Sequence, residues 1–329
     1  MEFEFLSQYI QISDTPFGDL QIRYYGIIIV TAMLLATVIA ARLANKSGKD
    51  PEHVYGALTW AIIPGIIFAR LWFVLFPPQD VVDLGRDAAW FLENFFNTTD
   101  GAIAIWSGGL SIFGALIGGG LGAYIYLRRN KLSVPQWLDI AAVVIPLGQA
   151  IGRWANFVNQ ELYGTPTGVD WWGLTIEIES RPEIYRAIQY YNAKFHPLFL
   201  YESLWSIGAF LVLFWLYNNR RNNMRIGDFI LIFIAQYSFI RFLLEFIRIQ
   251  VTNLPGTDIN LSQIVTFVAF VGAMGILFLR NNSGSAMTYA EVAEYEREQA
   301  KHAKAKNEDV NEEEVADTSG SEPTPATES

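Results

Sequence analysis

Cysteine is absent from this sequence of 329 residues, and histidine occurs only three times. A chain without cysteine forms no disulfide bond and no thiolate metal site, and it supplies no thiol nucleophile of its own. His53, His196 and His302 lie too far apart in the sequence to form a His-rich metal-binding motif. Charge is also scarce, at 17% of the residues, against about 25% in soluble globular domains. The composition therefore points away from a soluble fold.

Long apolar segments are abundant, and hydrophobic residues make up 52% of the chain. A segment of about 20 apolar residues is long enough to cross the hydrocarbon core of a bilayer as a helix. The sequence therefore predicts an all-α polytopic membrane protein with seven transmembrane helices. The predicted spans are residues 23–44, 54–77, 102–127, 135–158, 197–217, 226–248 and 261–280.

The connections between the spans differ in charge. Lys and Arg are concentrated in the connections after the first, third and fifth spans, whereas acidic residues predominate after the second and sixth. Short loops rich in Lys and Arg mark the cytoplasmic side of a membrane. We therefore expect the N-terminus outside and the C-terminus inside.

The seven spans and the connections between them form a membrane domain at 23–280. Three segments of the chain are not part of the spans. Residues 1–22 contain no long apolar run and are expected to be an interfacial helix or a loop. The aromatic-rich connection at 159–196 is expected to form a small ordered extracytoplasmic head. Residues 281–329 carry 12 acidic and 4 basic side chains. After a possible short helix at 289–306, this tail is expected to be disordered, with too little apolar surface to pack onto the helices.

The fourth span carries polar residues on one helical face. Gln149, Arg153, Asn156 and Gln160 follow one another at i, i+4, i+7 and i+11. An arginine at membrane depth costs about 2.5–3.5 kcal/mol even on the lenient insertion scale. Such a face is suited either to binding an anion or to joining helices through polar contacts.

The sixth and fifth spans carry further polar residues. Arg241, Glu245 and Arg248 share one face of the sixth span, where an internal Arg241–Glu245 pair would neutralise itself and Arg248 would leave a net positive charge. Tyr201 and Glu202 follow His196 at the start of the fifth span. Because these residues all fall in the outer halves of their spans, we expect them to form one cationic pocket that fits the phosphate of a phospholipid head group.

Other residues allow simpler interpretations. Arg70, near the outer end of the second span, is expected to extend its charge to the interface. Gly114 and Gly118 have the spacing that brings helix backbones together. The pair Gly108 and Gly109 is expected to break the third span and to offer free backbone N–H groups to an anion.

The segment Gly152–Gly164, GRWANFVNQELYG, resembles the signature of the prolipoprotein diacylglyceryl transferase family. The resemblance extends over nearly the whole membrane domain but not over the acidic tail. Its further matching positions are Tyr25-Gly26, Arg70, Gly108-Gly109-Leu110, Asp139, Pro146, His196-Pro197, Tyr201-Glu202, Arg241, Glu245 and Arg248.

The resemblance implies an enzyme of a bacterial cytoplasmic membrane. Its reaction moves the diacylglyceryl group of phosphatidylglycerol onto the lipobox cysteine in the signal peptide of a prolipoprotein, and glycerol phosphate leaves. The thiol belongs to the substrate, in keeping with a chain that has no cysteine. The implied partners are membrane lipids and these precursors rather than nucleic acid, and no metal or other cofactor is implied.

The resemblance also implies roles for individual residues. Arg153 and Arg241 are expected to contact the phosphate, with Asn156 and Tyr25 as neutral donors. Glu245 either orients Arg241 or accepts a proton, and His196 is a second candidate base or a structural residue. The remaining residues expected at the lipid-binding site are Arg248, Gly108, Gly109, Glu161, Gly164, Tyr201 and Glu202.

One position departs from the family pattern. Many members carry histidine where this chain has Phe113. The substitution removes one candidate proton acceptor.

A different class of function remains open: a transporter or binder of anionic phospholipid that makes no covalent bond. Broken helices and a cationic pocket would serve that function as well. A structural scaffold is disfavoured by the arginines within the spans.

Overall fold

The computed structural model describes residues 2–5, 8–15, 18–105, 108–249, 251, 259–284, 286–299 and 301–302. Most of these residues are helical, with one small sheet at the start of the chain. The α-helices up to residue 283 are α1 (Tyr24–Lys46), α2 (Glu52–Leu75), α3 (Gln79–Asp83), α4 (Ala88–Glu93), α5 (Ile112–Arg129), α6 (Val134–Val158), α7 (Leu198–Arg220), α8 (Asp228–Leu244) and α9 (Leu261–Ser283).

Among the described residues, five helices are long and apolar enough to cross a membrane, which agrees with a polytopic membrane protein. They are α1, α2, α6, the segment Leu198–Asn223 that contains α7, and α9. The shorter helices α5 and α8, of 18 and 17 residues, occupy the places of the third and sixth predicted spans. A helix therefore stands at each of the seven predicted positions.

The first residues form a sheet rather than the expected loop or interfacial helix. Strands β1 (Glu2–Phe5), β2 (Tyr9–Thr15) and β3 (Gly18–Arg23) pair antiparallel in the order β1-β2-β3. The alternation of polar and apolar residues in Glu2–Phe5, typical of a strand, was the signal for this sheet. The all-α prediction therefore needs this correction. Strand β3 leads directly into α1, where the backbone N–H of Tyr24 donates to the carbonyl of Gln8 at 3.1 Å.

Helix α5 begins ten residues later than the predicted third span, at Ile112 instead of residue 102. The preceding segment is a loop bound by Arg70, whose guanidinium donates to the carbonyls of Gly101, Ala102 and Gly108 at 2.7, 2.9 and 2.6 Å. Arg70 is only 6% exposed. The expectation that it extends to the interface is wrong, because the loop carbonyls satisfy it inside the protein.

Helices α2 and α5 approach closely along a glycine face, as the spacing of Gly114 and Gly118 predicted. A Cβ atom added at either glycine would collide with a carbonyl oxygen of α2, that of Phe68 or Pro64. Gly122 continues the face against the carbonyl of Trp60. Small residues at this spacing let two backbones meet where larger side chains would hold them apart.

Helix α6 is the centre of the remaining helices, and it packs against α1, α7 and α8. The start of α1, the end of α6, the start of α7 and the end of α8 meet at one end of this group, which we call the site end. The opposite end, where α6 and α8 begin, is the tail end. The hydrophobic core at the tail end contains Leu43, Trp137, Ile140, Leu213 and Phe229.

Residues 159–197 fold around a small aromatic core at the site end. Tyr163, Ile176 and Phe195 are its buried members. Arg181, 3% exposed, holds this segment together by donating to the carbonyls of Ile176 and Tyr190 at 2.9 and 2.7 Å. The buried arginine and the aromatic core explain why this long connection has a defined structure.

The chain after α9 packs onto the tail end. Residues 289–299 are helical, within the range of the possible helix at 289–306. Tyr289 is 7% exposed and belongs to the tail-end core. The expectation that nothing beyond residue 286 packs onto the helices is therefore wrong at Tyr289. The expected disorder of residues 303–329 lies outside the described residues.

The glycine face predicts an asymmetric response to alanine. Gly118→Ala should destabilise the protein by about 1–3 kcal/mol, the usual range for overpacking, because the added methyl meets the α2 backbone. Gly120→Ala is the matched control, since nothing lies within 4 Å of its Cβ position and alanine favours a helix by about 1 kcal/mol over glycine. Thermal unfolding in detergent measures both, and equal melting temperatures would contradict the close contact.

Candidate active site

Arg153 and Asn156 lie on the last turns of α6, at the site end. Nη1 of Arg153 donates to Oδ1 of Asn156 at 3.4 Å, one turn further along the helix. Their spacing on one helical face, predicted from the sequence, is what makes this contact possible. Asn156 is 8% exposed, so its amide is fixed inside the protein.

Glu202, near the start of α7, joins two arginines from different helices. One carboxylate oxygen forms an ion pair with Nη2 of Arg153, and the other lies 3.8 Å from Nη1 of Arg241. The side chain of Glu202 is 7% exposed, whereas those of Arg153 and Arg241 are 20% and 15% exposed. The carboxylate thus lies behind the two guanidinium groups and holds them beside each other.

Arg241 also pairs with Glu245, one helical turn further on. Its Nη2 lies 3.0 Å from a carboxylate oxygen of Glu245, whose side chain is 1% exposed. Neither oxygen of Glu245 receives a hydrogen bond of good geometry from the described part of the chain. The Arg241–Glu245 pair expected from the sequence is therefore present, but Arg241 belongs to a larger cluster.

A tight turn after α6 brings Glu161 back to the helix. Gln160 and Leu162 have φ angles of 53° and 56°, in the left-handed region that costs energy for residues with a Cβ atom. This turn lets Nδ2 of Asn156 donate to Oε1 of Glu161 at 2.7 Å. Tyr25, at the start of α1, interacts electrostatically with Glu161 and Arg153. The turn thus adds a third carboxylate to the cluster.

Arg248 reaches the cluster from the segment after α8. It interacts electrostatically with Arg153, Arg241, Glu202 and Glu245. Its backbone pairs with Gly164, at the end of the signature segment. A Cβ atom on Gly164 would lie 2.7 Å from the carbonyl oxygen of Ile247, so glycine allows this close approach.

The cluster contains equal numbers of arginines and glutamates: Arg153, Arg241 and Arg248 against Glu161, Glu202 and Glu245. The expected net positive charge of the pocket is therefore offset by carboxylates. Two of these carboxylates, on Glu202 and Glu245, are buried more deeply than the arginines that they pair with. An incoming anion would consequently meet guanidinium groups that the carboxylates already orient.

A cavity of about 190 Å³ adjoins the cluster. Its lining residues are Asn159, Gln160, Glu161, Leu162, Tyr163, Ser180, Pro182, Arg248 and Ile249. A water molecule occupies about 30 Å³ in the liquid, so the cavity has room for a larger polar group. Burial raises the pKa of the Tyr163 phenol above its ordinary value, and the hydroxyl donates to the carbonyl of Ser180 at 2.8 Å.

His196 and Tyr201 lie together where the head meets α7. Nδ1 of His196 is 3.1 Å from the hydroxyl oxygen of Tyr201. That hydroxyl also accepts a hydrogen bond from the indole N–H of Trp172 at 2.8 Å. The backbone of His196 pairs with residues 164 and 165. These contacts tie His196 into the junction of head and helices.

Comparison with known proteins identifies the family. The family model described as prolipoprotein diacylglyceryl transferase matches residues 15–279, most of the chain.

The chain belongs to the prolipoprotein diacylglyceryl transferase family.

Relatives from several bacteria share about a third of its residues. A protein of Pediococcus pentosaceus is 36% identical over 267 residues, covering 81% of this chain and 88% of the relative. One of Synechococcus elongatus is 34% identical over 80% of this chain and 85% of the relative. A protein of Listeria monocytogenes is 35% identical over 83% of this chain and 91% of the relative. All three bear the name phosphatidylglycerol–prolipoprotein diacylglyceryl transferase.

Two parts of the expected diacylglyceryl transferase site contact α2 instead of the arginine cluster. Gly108 and Gly109 have φ angles of 93° and 66° and lie in the loop before α5, where their carbonyls accept hydrogen bonds from Arg70. Phe113, 63% exposed, lies beside Trp72 with ring centroids 6.0 Å apart. The contact of Gly108 and Gly109 with lipid stays a prediction.

Sequence reasoning did not assign the residues that hold the site in place. Arg181, buried in the segment after α6, was missed. Asp139 entered only as a family resemblance, yet it is fully buried and accepts hydrogen bonds from Gly227 and Ile230 at the start of α8. A carboxylate in the first turns of an apolar helix was the available signal.

The shared carboxylate predicts a large effect of Glu202→Gln. The change leaves two neighbouring arginines without their common counterion. Loss of one partner from a buried ion pair costs about 3–5 kcal/mol, and the partial exposure of the arginines should bring the cost below that range. Thermal unfolding in detergent measures it, with Glu179→Gln on the exposed head surface as the control. Equal melting temperatures would show that Glu202 does not hold the arginines together.

Proposed function

We propose that this chain transfers the diacylglyceryl group of phosphatidylglycerol to the lipobox cysteine of prolipoproteins. Family membership and the names of its relatives support the activity. The observation that carries the site assignment is the pairing of Arg153 and Arg241 with one buried carboxylate, that of Glu202. This arrangement presents two guanidinium groups to one position.

The phosphate of phosphatidylglycerol would bind between these guanidinium groups. Planar guanidinium groups match the oxygens of a phosphate and donate parallel hydrogen bonds to it. The same contacts stabilise the negative charge that grows on the leaving glycerol phosphate. Asn156 and Tyr25 serve as neutral donors, and Arg248 adds positive charge from the cavity side.

The reaction exchanges one bond for another at a glyceryl carbon. The substrate thiol gives up its proton, the sulfur forms a C–S bond, and the C–O bond to the phosphate breaks. The glycerol phosphate that leaves takes the electron pair of the broken bond and, in the overall balance, the proton of the thiol. Positive charge near a thiol favours the thiolate. Glu245 takes the orienting role on Arg241, in keeping with their 3.0 Å ion pair.

The remaining assigned residues would shape the place where the lipid binds. Glu161 orients Asn156 by accepting its amide hydrogen bond. Gly164 allows the close backbone contact with the segment that carries Arg248. His196 and Tyr201 fix the head above the site. Gly108 and Gly109 would contact lipid from the loop before α5.

The same proposal includes the topology. Helices α5 and α8 would complete seven transmembrane spans in a bacterial cytoplasmic membrane, with the N-terminus and the site end outside. Basic residues at the tail end support this orientation under the positive-inside rule. They are Arg42, Lys46, Lys49, Arg128, Arg129, Lys131, Arg220, Arg221 and Arg225. The lipobox segment of the precursor would approach the site end from the membrane.

A direct assay tests the function. The purified chain in phosphatidylglycerol vesicles is incubated with a lipobox peptide, and mass spectrometry measures the peptide. We expect the mass of one diacylglyceryl group to be added, with no addition when serine replaces the peptide cysteine or when the vesicles contain only phosphatidylcholine. Binding of phosphatidylglycerol without any mass gain would instead favour a transporter or a lipid binder.

Arg241→Lys should reduce transfer by about tenfold or more. Lysine keeps the charge but loses the planar fork, and a charge-assisted hydrogen bond contributes about 1.5–3 kcal/mol. The assay above measures the rate, with the surface change Arg128→Lys as the matched control. A wild-type rate for the Arg241→Lys chain would reduce Arg241 to a general positive charge.

Phe113→His should leave the rate unchanged or lower it. The arginine cluster already favours the thiolate, and the described contact of Phe113 is with Trp72 on α2. A polar ring introduced at a lipid-facing position is unfavourable. Phe113→Leu serves as the control for loss of the aromatic ring. A large gain in rate at neutral pH, seen with histidine but not with leucine, would restore a histidine base to the mechanism.

A further inference from the structure

A buried polar network lies at the tail end, around Asp139 on α6. This carboxylate is fully buried. It accepts hydrogen bonds from the backbone N–H of Gly227 at 2.7 Å, from that of Ile230 at 3.0 Å and from the hydroxyl of Tyr289 at 2.7 Å. A buried carboxylate needs such donors to offset its lost hydration.

Asp139 supplies the N-terminal cap that α8 lacks. The residue before α8 is Gly227, with a φ of 93° and no side chain to accept the free N–H groups of the first turn. An acceptor at this position normally comes from the helix's own cap residue. Here it comes from α6, so the cap fixes the start of α8 against α6.

Tyr289, in the segment that follows α9, donates the third hydrogen bond to Asp139. Its ring is buried and lies against the guanidinium of Arg221, 5.2 Å from the ring centroid. Its backbone N–H donates to the carbonyl of Met224 at 3.0 Å, and Thr288 pairs with Arg225. Burial, followed by the charge of Asp139, raises the pKa of the Tyr289 phenol, which keeps the hydroxyl a donor.

The two helices joined here are the ones that carry the site arginines. Arg153 lies 14 residues beyond Asp139 on α6, about 21 Å along the helix at 1.5 Å per residue. Arg241 lies 11 residues beyond Ile230 on α8, about 16 Å along it. Pro146, which has no backbone N–H to donate, interrupts the hydrogen bonding of α6 between Asp139 and Arg153. The hydrogen bonds of Asp139 therefore fix the starting ends of both helices that carry a site arginine.

We propose that Asp139 and Tyr289 are positioning residues that hold the start of α8 on α6 and thereby set Arg241 beside Arg153. We call this contact the tail latch. Its consequence for the transfer rate rests on the proposed function, whereas its consequence for the position of α8 does not. Tyr289 therefore belongs to the working protein.

Four full-length or truncated chains test the latch. Tyr289→Phe removes the hydroxyl and keeps the ring. A chain ending at Gly284 lacks the whole segment that packs onto the tail end after α9. Tyr295→Phe, at an exposed position of the same helix, is the matched control. A chain ending at residue 302 keeps the latch without the acidic remainder. Each is assayed for transfer, and kcat and KM for phosphatidylglycerol are determined on the folded fraction.

A second measurement follows α8 without any activity. Because the chain has no cysteine, Leu243→Cys accepts a single spin label at an exposed position of α8, two residues beyond Arg241. Ile27→Cys on α1 carries the control label. The spectrum of each label is recorded in all four chains.

We expect Tyr289→Phe and the chain ending at Gly284 to lower kcat by about tenfold, since small misplacements of a catalytic group cost up to about 100-fold. The Leu243 label should become more mobile in both, and the Ile27 label should not change. Tyr295→Phe and the chain ending at residue 302 should match the wild type. If the Gly284 truncation does not fold, the test is the kcat and the Leu243 spectrum of Tyr289→Phe compared with those of the wild type.

Two results would overturn the latch. One is a wild-type rate and spectrum in Tyr289→Phe. The other is a loss of folded protein whose surviving fraction keeps the wild-type kcat and Leu243 spectrum, which would make Tyr289 a stability residue only. An inactive wild type whose Leu243 label still responds to Tyr289→Phe would reject the proposed function and keep the latch.

Discussion

The arrangement of the site depends on one buried carboxylate shared by two arginines. A guanidinium with most of its surface buried needs a counterion, and Glu202 serves Arg153 on α6 and Arg241 on α8 together. That sharing requires α6, α7 and α8 to meet at a single point. It also places the carboxylate behind the guanidinium groups, so the more exposed face of the cluster is positive although its total charge is balanced.

Three buried ionic groups of the described residues outside the cluster, Arg70, Arg181 and Asp139, have their hydrogen-bonding atoms bound inside the protein. Backbone carbonyls of the loop before α5 surround Arg70, and carbonyls of the head surround Arg181. The carboxylate of Asp139 accepts three hydrogen bonds. By contrast, Arg153 and Arg241 are paired on one side and partly exposed on the other. This difference separates groups that maintain the fold from groups available to a phosphate.

The sequence predicted the helices well because their signal is local. Length and apolar content place α1, α6 and α9 within a few residues of their observed bounds. The start of α5 was wrong because hydropathy cannot show that a distant arginine, Arg70, binds the carbonyls of an apolar loop. The sheet before α1 was missed because its strands are short and carry no apolar run. The helical face of Arg153 and Asn156 was predictable from spacing, whereas the sharing of Glu202 between two other helices was not.

The tail shows where composition misleads most clearly. Net charge and low hydropathy describe residues 281–329 as a solvated segment, and that average hides one tyrosine whose ring enters the core. A single buried aromatic side chain with a satisfied hydroxyl is enough to anchor a short segment, because ring burial and the hydrogen bond to Asp139 act at the same place. The acidic composition therefore says little about residues 286–299. Their contact with the helices is made by Tyr289, whose hydroxyl donates to Asp139. That carboxylate of α6 also accepts the N–H groups of Gly227 and Ile230 at the start of α8.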